Sequence, residues 1–341
     1  MTRYPKEYLE AASEYLHANS LDFTGHKILV TGASGFVGSW VIELLRHYTS
    51  KSKQEIEIVG LSRDLKSTLQ KFGKENFDFV NWVEGGVEKI PNIEFKFTHA
   101  VHAATPTTKQ TGSMDVNNVR HSSIHGMRYL LDLARLNGNK PRILHTSSGA
   151  VYGSIKLQKG RIPIVQNPQI GNLDHNGRHY EYALAKREVE ALLDSATKNG
   201  LVSGVNARLF AFYGPGIPTG SHYAVGNLVD QALHASFLQL NGTGKATRSY
   251  MTGNFMAAII LYVLSSDIVG ATHIGSTDGK TLESWALLVS EVCGKQLKLA
   301  GEFDDSTDRY VPILDERIPL PNFSNQPKNV FTDWIRFINA S

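Results

Sequence analysis

The segment KILVTGASGFVGSW (27–40) constrains the fold more than any other part of the chain. A run of strand-forming residues meets three glycines spaced by two residues, Gly32, Gly35 and Gly38. A strand, a loop of this kind and then a helix is the arrangement that binds the pyrophosphate of a dinucleotide at a helix N-terminus. We expect Gly32 to permit a tight turn, Gly35 to let backbone N–H groups approach the pyrophosphate, and Gly38 to allow close helix packing.

Strand and helix patterns alternate after this loop. Strands are predicted at 55–63, 98–104, 142–148 and 205–214, and helices at 38–48, 122–138 and 182–200. This alternation implies right-handed crossovers and a parallel sheet covered on both faces. The predicted fold class is α/β, a Rossmann-type doubly wound parallel sheet with a smaller α/β substrate lobe.

The predicted domain boundary rests on glycine and proline, which break helices and strands and become more frequent after Gly214. We expect residues 25–215 to form mainly the dinucleotide-binding domain, and residues 216–341 mainly a smaller lobe interwoven with it. Residues 1–24 are expected to form a helical extension, because apolar side chains recur there at helical spacing. Packing or an oligomer contact is the expected role of that extension.

Bulk composition excludes several classes of partner. The 35 basic and 32 acidic residues give a formal charge of +3, too even to favour nucleic acid or a membrane surface. The single cysteine, Cys293, excludes an intrachain disulfide and a C-x-x-C metal site. His175 and His179 flank a turn signal and lack the helical spacing of a zinc pair, so no metal is expected. The single cysteine suits a reducing cytoplasm. With no secretory signal or long apolar run, a soluble protein is expected.

The segment VGLSRD (59–64) bears on the choice of cofactor. In a dinucleotide-binding fold an acidic residue at the end of the second strand favours NAD. If Ser62 occupies that position, Arg63 follows it and can pair with the 2′-phosphate of NADP(H). Asp64, one step later, leaves NAD(H) open. The sequence favours NADP(H).

Tyr182 and Lys186 lie four residues apart on a predicted helix, so both side chains project from one face. A tyrosine with an ordinary pKa near 10 exchanges protons poorly at neutral pH, and a nearby ammonium lowers that pKa. Tyr180 is the competing tyrosine, but Leu184 stands four residues after it. Tyr182 is therefore the better candidate for a proton carrier.

A hydroxyl group is available at the carboxyl end of the predicted strand 142–148, the edge at which ligands bind in open α/β sheets. Ser148 is positioned to hydrogen-bond a substrate oxygen beside Tyr182. Ser147 and Thr146 remain alternatives at this point.

The motifs of the sequence, taken in order, resemble those of a known family. Together with Gly32-x-x-Gly35-x-x-Gly38 it contains, in order, HAAT (102–105), SSGAVYG (147–153), YALAK (182–186) and YGPG (213–216). This series resembles the extended short-chain dehydrogenase/reductases, specifically the nucleotide-sugar epimerase/dehydratase group, from about residue 27 to residue 295.

The resemblance implies roles for individual residues. It implies a Ser148–Tyr182–Lys186 triad, with Lys186 also holding the nicotinamide ribose. It places a nucleotide-sugar diphosphate on Asn227 and Arg248, where the planar fork of arginine suits two phosphate oxygens. It also implies a homodimer. The remaining residues expected to contact the cofactor are Ser34, Phe36, Val37, Ala103, Ala104 and Thr105.

The sequence also departs from the family pattern, with Gly149 and Ala150 where dehydratases have adjacent Asp and Glu. Without that carboxylate pair, 4,6-dehydration is not expected. We expect instead an NADPH-dependent reductase of a 4-keto deoxysugar nucleotide, with a 4-epimerase holding NAD as the alternative. Residues differing from frequent family choices motivate a third hypothesis, a cofactor-binding scaffold or sensor without catalysis; they are Gly86, Ser123, Ala211 and Asn254.

Overall fold

The fold was analysed in a computed structural model, which describes residues 4–86, 95–104, 116–153, 156–166, 170–175, 180–220, 223–301, 308–321 and 326–339. The chain divides into two compact units. Unit 1 comprises Met1–Ile155, Ile164–Leu209 and Asn254–Ile274, and unit 2 comprises Lys156–Pro163, Phe210–Gly253 and Gly275–Ser341.

The described helices are α1 (Lys6–Ala18), α2 (Phe36–Ser52), α3 (Leu65–Phe72), α4 (Lys74–Phe77), α5 (Val116–Asn137), α6 (Tyr180–Lys198), α7 (Ala224–His234), α8 (Gly253–Ser265), α9 (Leu282–Cys293) and α10 (Pro327–Asn339), with a short 3-10 helix at Gly149–Tyr152. The described strands are β1 (Lys27–Thr31), β2 (Glu57–Ser62), β3 (Asn81–Glu84), β4 (His99–His102), β5 (Arg142–Ser148), β6 (Ser203–Leu209), β7 (Ala211–Tyr213), β8 (Leu238–Asn241), β9 (Thr247–Thr252), β10 (Gly270–Ile274), β11 (Gly279–Thr281), β12 (Leu297–Ala300) and β13 (Arg309–Tyr310).

Unit 1 is built on a seven-stranded sheet in the order β10-β6-β5-β4-β1-β2-β3. Every neighbouring pair is parallel, and helices flank the sheet. Its central strands are buried along almost their whole length, as expected where both faces of a parallel sheet are covered. The predicted Rossmann-type doubly wound α/β fold is confirmed. Reversal of the strand order beside β1 creates the crevice at which such sheets bind ligands.

Two features of the sheets differ from the sequence prediction. The segment 205–214 was expected to be one strand, but its pairing changes after Leu209. β6 pairs with β5 and β10 in unit 1, whereas Ala211–Tyr213 pairs with Tyr250–Thr252 in unit 2. The edge strand β10 comes from much later in the chain, after α8. These partners are remote in sequence, so local periodicity does not reveal them.

Helix α1 belongs to unit 1 and has one buried face. The ring of Tyr4, just before the helix, stacks on Trp40 with centroids 3.6 Å apart, and the Tyr4 hydroxyl lies 2.7 Å from Ser39 Oγ. The amide Nδ2 of Asn254 donates to the carbonyl oxygen of Tyr8 at 3.0 Å. These contacts fasten the N-terminal segment to α2, which follows the glycine loop, and to α8.

Unit 2 is a smaller α/β unit. In one sheet β9 pairs with β7, β11 and β13, while β8 and β12 form a separate parallel pair. Helices α7, α9 and α10 accompany these strands, and α9 ends at Gly294, whose φ of +68° suits a helix cap. An aromatic cluster joins the elements of the unit, with Tyr213, Tyr250 and Phe331 around Trp285.

Candidate functional site

The glycine loop lies between β1 and α2 and leaves no space for two of the missing side chains. Gly32 has a φ of +67°, and a Cβ there would lie 2.7 to 2.8 Å from backbone atoms of Ala103 and Ala104. A Cβ on Gly38 would lie 2.5 Å from the carbonyl oxygen of Gly32. Gly32 thus permits both the turn and the close passage of the segment after β4. Gly38 brings the start of α2 against the loop itself.

The N-terminus of α2 is suited to an anionic ligand. Gly35 is the N-cap residue and brings no side-chain acceptor to the first turn. The N–H groups of a first helical turn have no acceptor within the helix, and the helix dipole makes this end positive. The N–H groups of the turn that begins at Phe36 and continues through Val37 are placed as in helix N-termini that bind a pyrophosphate oxygen. The loop therefore fits a dinucleotide.

The end of β2 lies beside the same loop. Ser62 Oγ donates to Ser34 Oγ at 3.1 Å and lies 2.7 Å from Thr68 Oγ1. Asp64 is the N-cap of α3, and its Oδ1 accepts from the N–H of Ser67 at 2.9 Å. Asp64 is the acidic residue for which NAD(H) remained a possible cofactor, and here its carboxylate caps α3. Arg63, between them, is exposed.

The segment after β4 completes this side of the crevice. The N–H of Ala103 donates to the carbonyl oxygen of Thr31 at 3.1 Å, which carries the β1–β4 pairing beyond the last strand residue. Ala103 and Ala104 are both partly exposed beside Gly32. The predicted contact residue Thr105 lies outside the described residues.

The three hydroxyl candidates at the end of β5 have different surroundings. Thr146 Oγ1 is buried and donates to the carbonyl oxygen of His102 at 3.0 Å. Ser147 Oγ is buried and donates to Glu190 Oε1 at 2.5 Å. Ser148 is partly exposed, and its Oγ accepts from the N–H of Ala150 at 3.2 Å, which leaves the hydroxyl hydrogen for another acceptor. Of the three, this geometry favours Ser148 as the group that meets a ligand.

The predicted pair on α6 is brought against the end of β5. Lys186 is only 2% exposed, and its Nζ donates to the carbonyl oxygen of Thr146 at 2.6 Å. The same nitrogen lies 5.7 Å from the centre of the Tyr182 ring. Burial lowers the pKa of Lys186 to about 7, and the nearby charge of Glu190 opposes that shift. The competing Tyr180 begins the helix and its ring contacts a histidine, His175, rather than a lysine.

The two predicted substrate-binding residues lie in unit 2. Asn227 is partly buried on α7. Arg248 lies on β9, and its guanidinium forms a forked pair with Asp308, with Nη1–Oδ1 at 3.1 Å and Nη2–Oδ2 at 2.5 Å. Two parallel N–H···O bonds of this kind are the geometry by which arginine also binds phosphate oxygens.

Comparison with known proteins identifies the family. The sequence profile of the NAD dependent epimerase/dehydratase family matches residues 28–274. The chain belongs to this family. The match covers the seven-stranded sheet of unit 1 from β1 to β10.

Among curated relatives, this family member is similar to UDP-glucuronic acid decarboxylase 4 of Arabidopsis thaliana, with 25% identity over 287 residues. That match covers 83% of this chain and 60% of the decarboxylase. The chain thus spans about three-fifths of the length of the curated relative. The family is one of NAD-dependent enzymes that act on nucleotide sugars as epimerases, dehydratases and decarboxylases.

Solved structures with low sequence identity share the fold. The UDP-N-acetylglucosamine 4-epimerase of Methanobrevibacter ruminantium superimposes with a TM-score of 0.72 at 15% identity, covering 93% of this chain and 99% of that one. The dTDP-glucose 4,6-dehydratase of Bacillus anthracis, solved in complex with NAD, gives a TM-score of 0.72 at 19% identity and covers 93% of this chain and 97% of that one.

Within the described ranges, no group of three or more His, Cys, Asp and Glu side chains is arranged to hold a metal ion. Among the helices that the structure describes, none combines the length and apolar character needed to span a membrane.

Sequence reasoning missed one buried ion pair beneath the site of this family member. Glu190 on α6 and Arg208 on β6 are both 0% exposed and form a salt bridge of 2.6 Å. The signal was present in the spacing, because Glu190 follows Lys186 by four residues on a helix face that must be buried. A carboxylate placed there requires a partner. That partner is on a strand, and its identity required the fold.

Proposed function

We propose that this protein is an NAD(P)-dependent oxidoreductase that reduces a 4-keto deoxysugar nucleotide. The observation that carries the proposal is the position of Lys186, whose Nζ lies 5.7 Å from the centre of the Tyr182 ring and donates to Thr146 near the end of the strand that bears Ser148. A lysine buried to this extent is costly to keep charged. Its position is accounted for if the ammonium acts on Tyr182.

Each side chain has a defined task in this proposal. Tyr182 donates its hydroxyl proton to the ketone oxygen of the sugar, and the positive charge of Lys186 stabilises the phenolate left behind. Ser148 donates a hydrogen bond to the same oxygen and so orients it. When bound, the dinucleotide supplies the hydride that reduces the sugar carbon. Gly32, Gly35 and the start of α2 would hold its pyrophosphate.

Elimination of water is disfavoured by the same site. Dehydration requires an acid and a base beside the sugar. Gly149 and Ala150, on the 3-10 helix that follows Ser148, provide neither. Proton transfer by Tyr182 alone suits a reduction, in which a single proton accompanies the hydride.

The proposed preference for NADP(H) rests on the end of β2. An acidic side chain there would accept hydrogen bonds from the ribose hydroxyls of NAD. Ser62 occupies the last position of the strand, Asp64 is engaged in capping α3, and Arg63 is exposed between them. A guanidinium at this position suits a 2′-phosphate.

A second candidate is a 4-epimerase that retains NAD(H). It is favoured by the solved relatives, which include a UDP-N-acetylglucosamine 4-epimerase and a dehydratase containing NAD. In an epimerase Tyr182 would first accept and then return the proton, so the same triad serves both reactions. For either candidate we propose that Asn227 and Arg248 bind the nucleotide diphosphate, and that the protein is a cytoplasmic homodimer.

Three measurements test the proposal. Mass spectrometry of the purified protein identifies the cofactor that it retains, and tightly held NAD supports the epimerase. The second is NADPH oxidation with a panel of nucleotide-linked 4-keto sugars. Consumption of NADPH supports the reductase, and sugar interconversion without net cofactor change supports the epimerase. Release of CO2 from UDP-glucuronic acid would instead indicate a decarboxylase, the activity named for the curated relative.

Matched variants distinguish catalysis from binding. Tyr182→Phe is expected to abolish turnover while cofactor binding persists. Tyr180→Phe, which removes the neighbouring hydroxyl on the same helix, is expected to retain turnover. Full activity in Tyr182→Phe would refute the assignment. Dinucleotide binding without turnover of any sugar in the panel would support a cofactor-binding scaffold instead.

A further inference from the structure

A fully buried carboxylate joins three elements beneath the proposed site. Glu190 Oε1 accepts from Ser147 Oγ at 2.5 Å and from Arg208 Nε at 2.9 Å, and Oε2 accepts from Arg208 Nη2 at 2.6 Å. Glu190 is on α6, Ser147 on β5 and Arg208 on β6. One side chain thereby ties the helix of the Tyr182–Lys186 pair to the strand that ends at Ser148.

The spacing along α6 aligns this carboxylate with the site. Tyr182, Lys186 and Glu190 are at i, i+4 and i+8, so they follow one another on the same side of the helix. Lys186 bonds to the carbonyl oxygen of Thr146, and Glu190 bonds to the side chain of the next residue, Ser147. Two successive turns of the helix are therefore fixed to two successive residues of the strand, immediately before Ser148.

We propose that Glu190 is a positioning residue of the active site, whose buried carboxylate fixes Ser148 relative to Tyr182 and places a negative charge beside the Lys186 ammonium. This inference rests on the proposed function, in which Tyr182 and Lys186 transfer the proton. It assigns Glu190 no contact with substrate or cofactor, since its partners lie within the protein core.

Glu190 provides the negative charge beside the Lys186 ammonium. Tyr182 and Glu190 face it from α6, His145 from β5 and His102 from β4, while Arg208 lies beyond Glu190 on β6. Burial, with a smaller contribution from Lys186, lowers the pKa of His102 to about 3 and lowers that of His145 well below its usual range. Both histidines are therefore uncharged at neutral pH. Among these groups only Glu190 offers Lys186 a negative charge.

A purely structural role is a weaker explanation of this ion pair. Taking Arg208 and Glu190 out of water is costly, and apolar side chains of similar volume often give an equally stable core. The chain also places a second cation, Lys186, within one helical turn of the carboxylate. An arrangement of two buried cations around one anion is accounted for if the anion keeps Lys186 charged.

Three variants separate the possibilities. Glu190→Gln keeps the shape and removes the charge, but it leaves Arg208 buried without a carboxylate and can fail to fold. The double variant Glu190→Gln/Arg208→Met removes both charges and avoids that penalty. Glu188→Gln is the matched control, because Glu188 is on the same helix and pairs with Arg120 at the partly exposed surface.

The test follows the ionisation of Lys186 directly. Side-chain NMR of isotope-labelled lysine is recorded against pH, and the Lys186 signal is the one missing from a Lys186→Arg variant. We expect the double variant, and Glu190→Gln if it folds, to lower the pKa of Lys186 by about one pH unit. Glu188→Gln should leave it unchanged. An unchanged Lys186 titration in the folded double variant overturns the proposal.

This measurement needs no sugar, so its outcome does not depend on the proposed reaction. Once a substrate is found, kcat of the double variant should fall at high pH about one unit earlier than in the parent protein, because activity requires the ammonium. A uniform fall in kcat without that displacement would indicate a structural role alone and would also overturn the inference. A displaced Lys186 titration in a protein that turns over no sugar would support Glu190 and refute the proposed function.

Discussion

Replacement of Gly32 by alanine tests the loop that is proposed to hold the dinucleotide. The new Cβ would lie 2.7 Å from the carbonyl carbon and oxygen of Ala103 and 2.8 Å from the nitrogen of Ala104, where ordinary contact begins at 3.4 Å. These are backbone atoms at the end of β4, so no side-chain rotation relieves the overlap. The loop and the strand end must separate by about 0.7 Å.

The expected cost has two parts. A positive φ costs an alanine about 1–2 kcal/mol, and forcing an extra group into a filled space costs about 1–3 kcal/mol more. We therefore expect Gly32→Ala to reduce the free energy of unfolding by about 2–5 kcal/mol. If about 1.4 kcal/mol of this cost is still present when the dinucleotide binds, the affinity for the dinucleotide falls about tenfold.

A matched control isolates the overlap from backbone strain. Gly138 has a φ of +68°, almost that of Gly32, and a Cβ there would meet nothing within 4 Å. Gly138→Ala should therefore lose only the first part, about 1–2 kcal/mol, and bind the dinucleotide normally. Urea denaturation gives the stabilities and calorimetric titration gives the affinities. Equal losses of stability in the two variants, or an unchanged affinity in Gly32→Ala, would refute the reasoning.

Three further predictions concern the cofactor, the unit 2 arginine and acid stability. Arg63→Ala should weaken NADPH binding about tenfold and leave NADH binding unchanged, since only NADPH offers a 2′-phosphate; equal weakening of both in fluorescence titrations would argue against the NADP(H) preference. Asp308→Asn removes the carboxylate that pairs with Arg248, so UDP should bind several-fold more tightly at low salt. Arg248→Ala should abolish that gain. An unchanged affinity for UDP in Asp308→Asn would show that Asp308 does not compete with the diphosphate for Arg248. His102 has a folded pKa of about 3 against an ordinary 6.5, so the unfolded chain binds more protons between these values and stability falls as the pH falls through that window. His102→Gln should reduce this loss by up to about 1.4 kcal/mol per pH unit in urea denaturation at pH 6.5 and at pH 4, and identical losses would refute it.

Some features of the site could be predicted from the sequence because they depend on residues close together along the chain. A strand followed by G-x-x-G-x-x-G and a helix defines a loop geometry within a few residues, and the structure places Gly32 and Gly38 where a Cβ cannot be accommodated. Tyr182 and Lys186 share a face because helical geometry relates residues four apart. The doubly wound sheet followed from the alternation of strands and helices.

Other features depended on side-chain partners that the sequence does not identify. The sequence alone does not distinguish the hydroxyl groups of Thr146, Ser147 and Ser148. In the structure Thr146 and Ser147 donate to buried acceptors, whereas Ser148 is partly exposed. Asp64 was a possible ribose ligand until its role as the cap of α3 was known. In each case the same residue type supports two roles, and a hydrogen-bond partner distinguishes them.

The sequence by itself determined the fold class, because strand and helix patterns alternate from residue 27 to residue 214. It also determined the glycine loop and the tyrosine–lysine spacing, because these are set by backbone geometry over short segments. Tertiary structure alone decided which strands border the sheet, that β10 joins it from residues 270–274, and that Glu190 meets Arg208 and Ser147. Those contacts join residues distant along the chain, and the free energies that select them come from burial and hydrogen bonding in the packed core. A charged residue on a buried helix face shows that a partner must exist, but only the folded chain shows which residue it is.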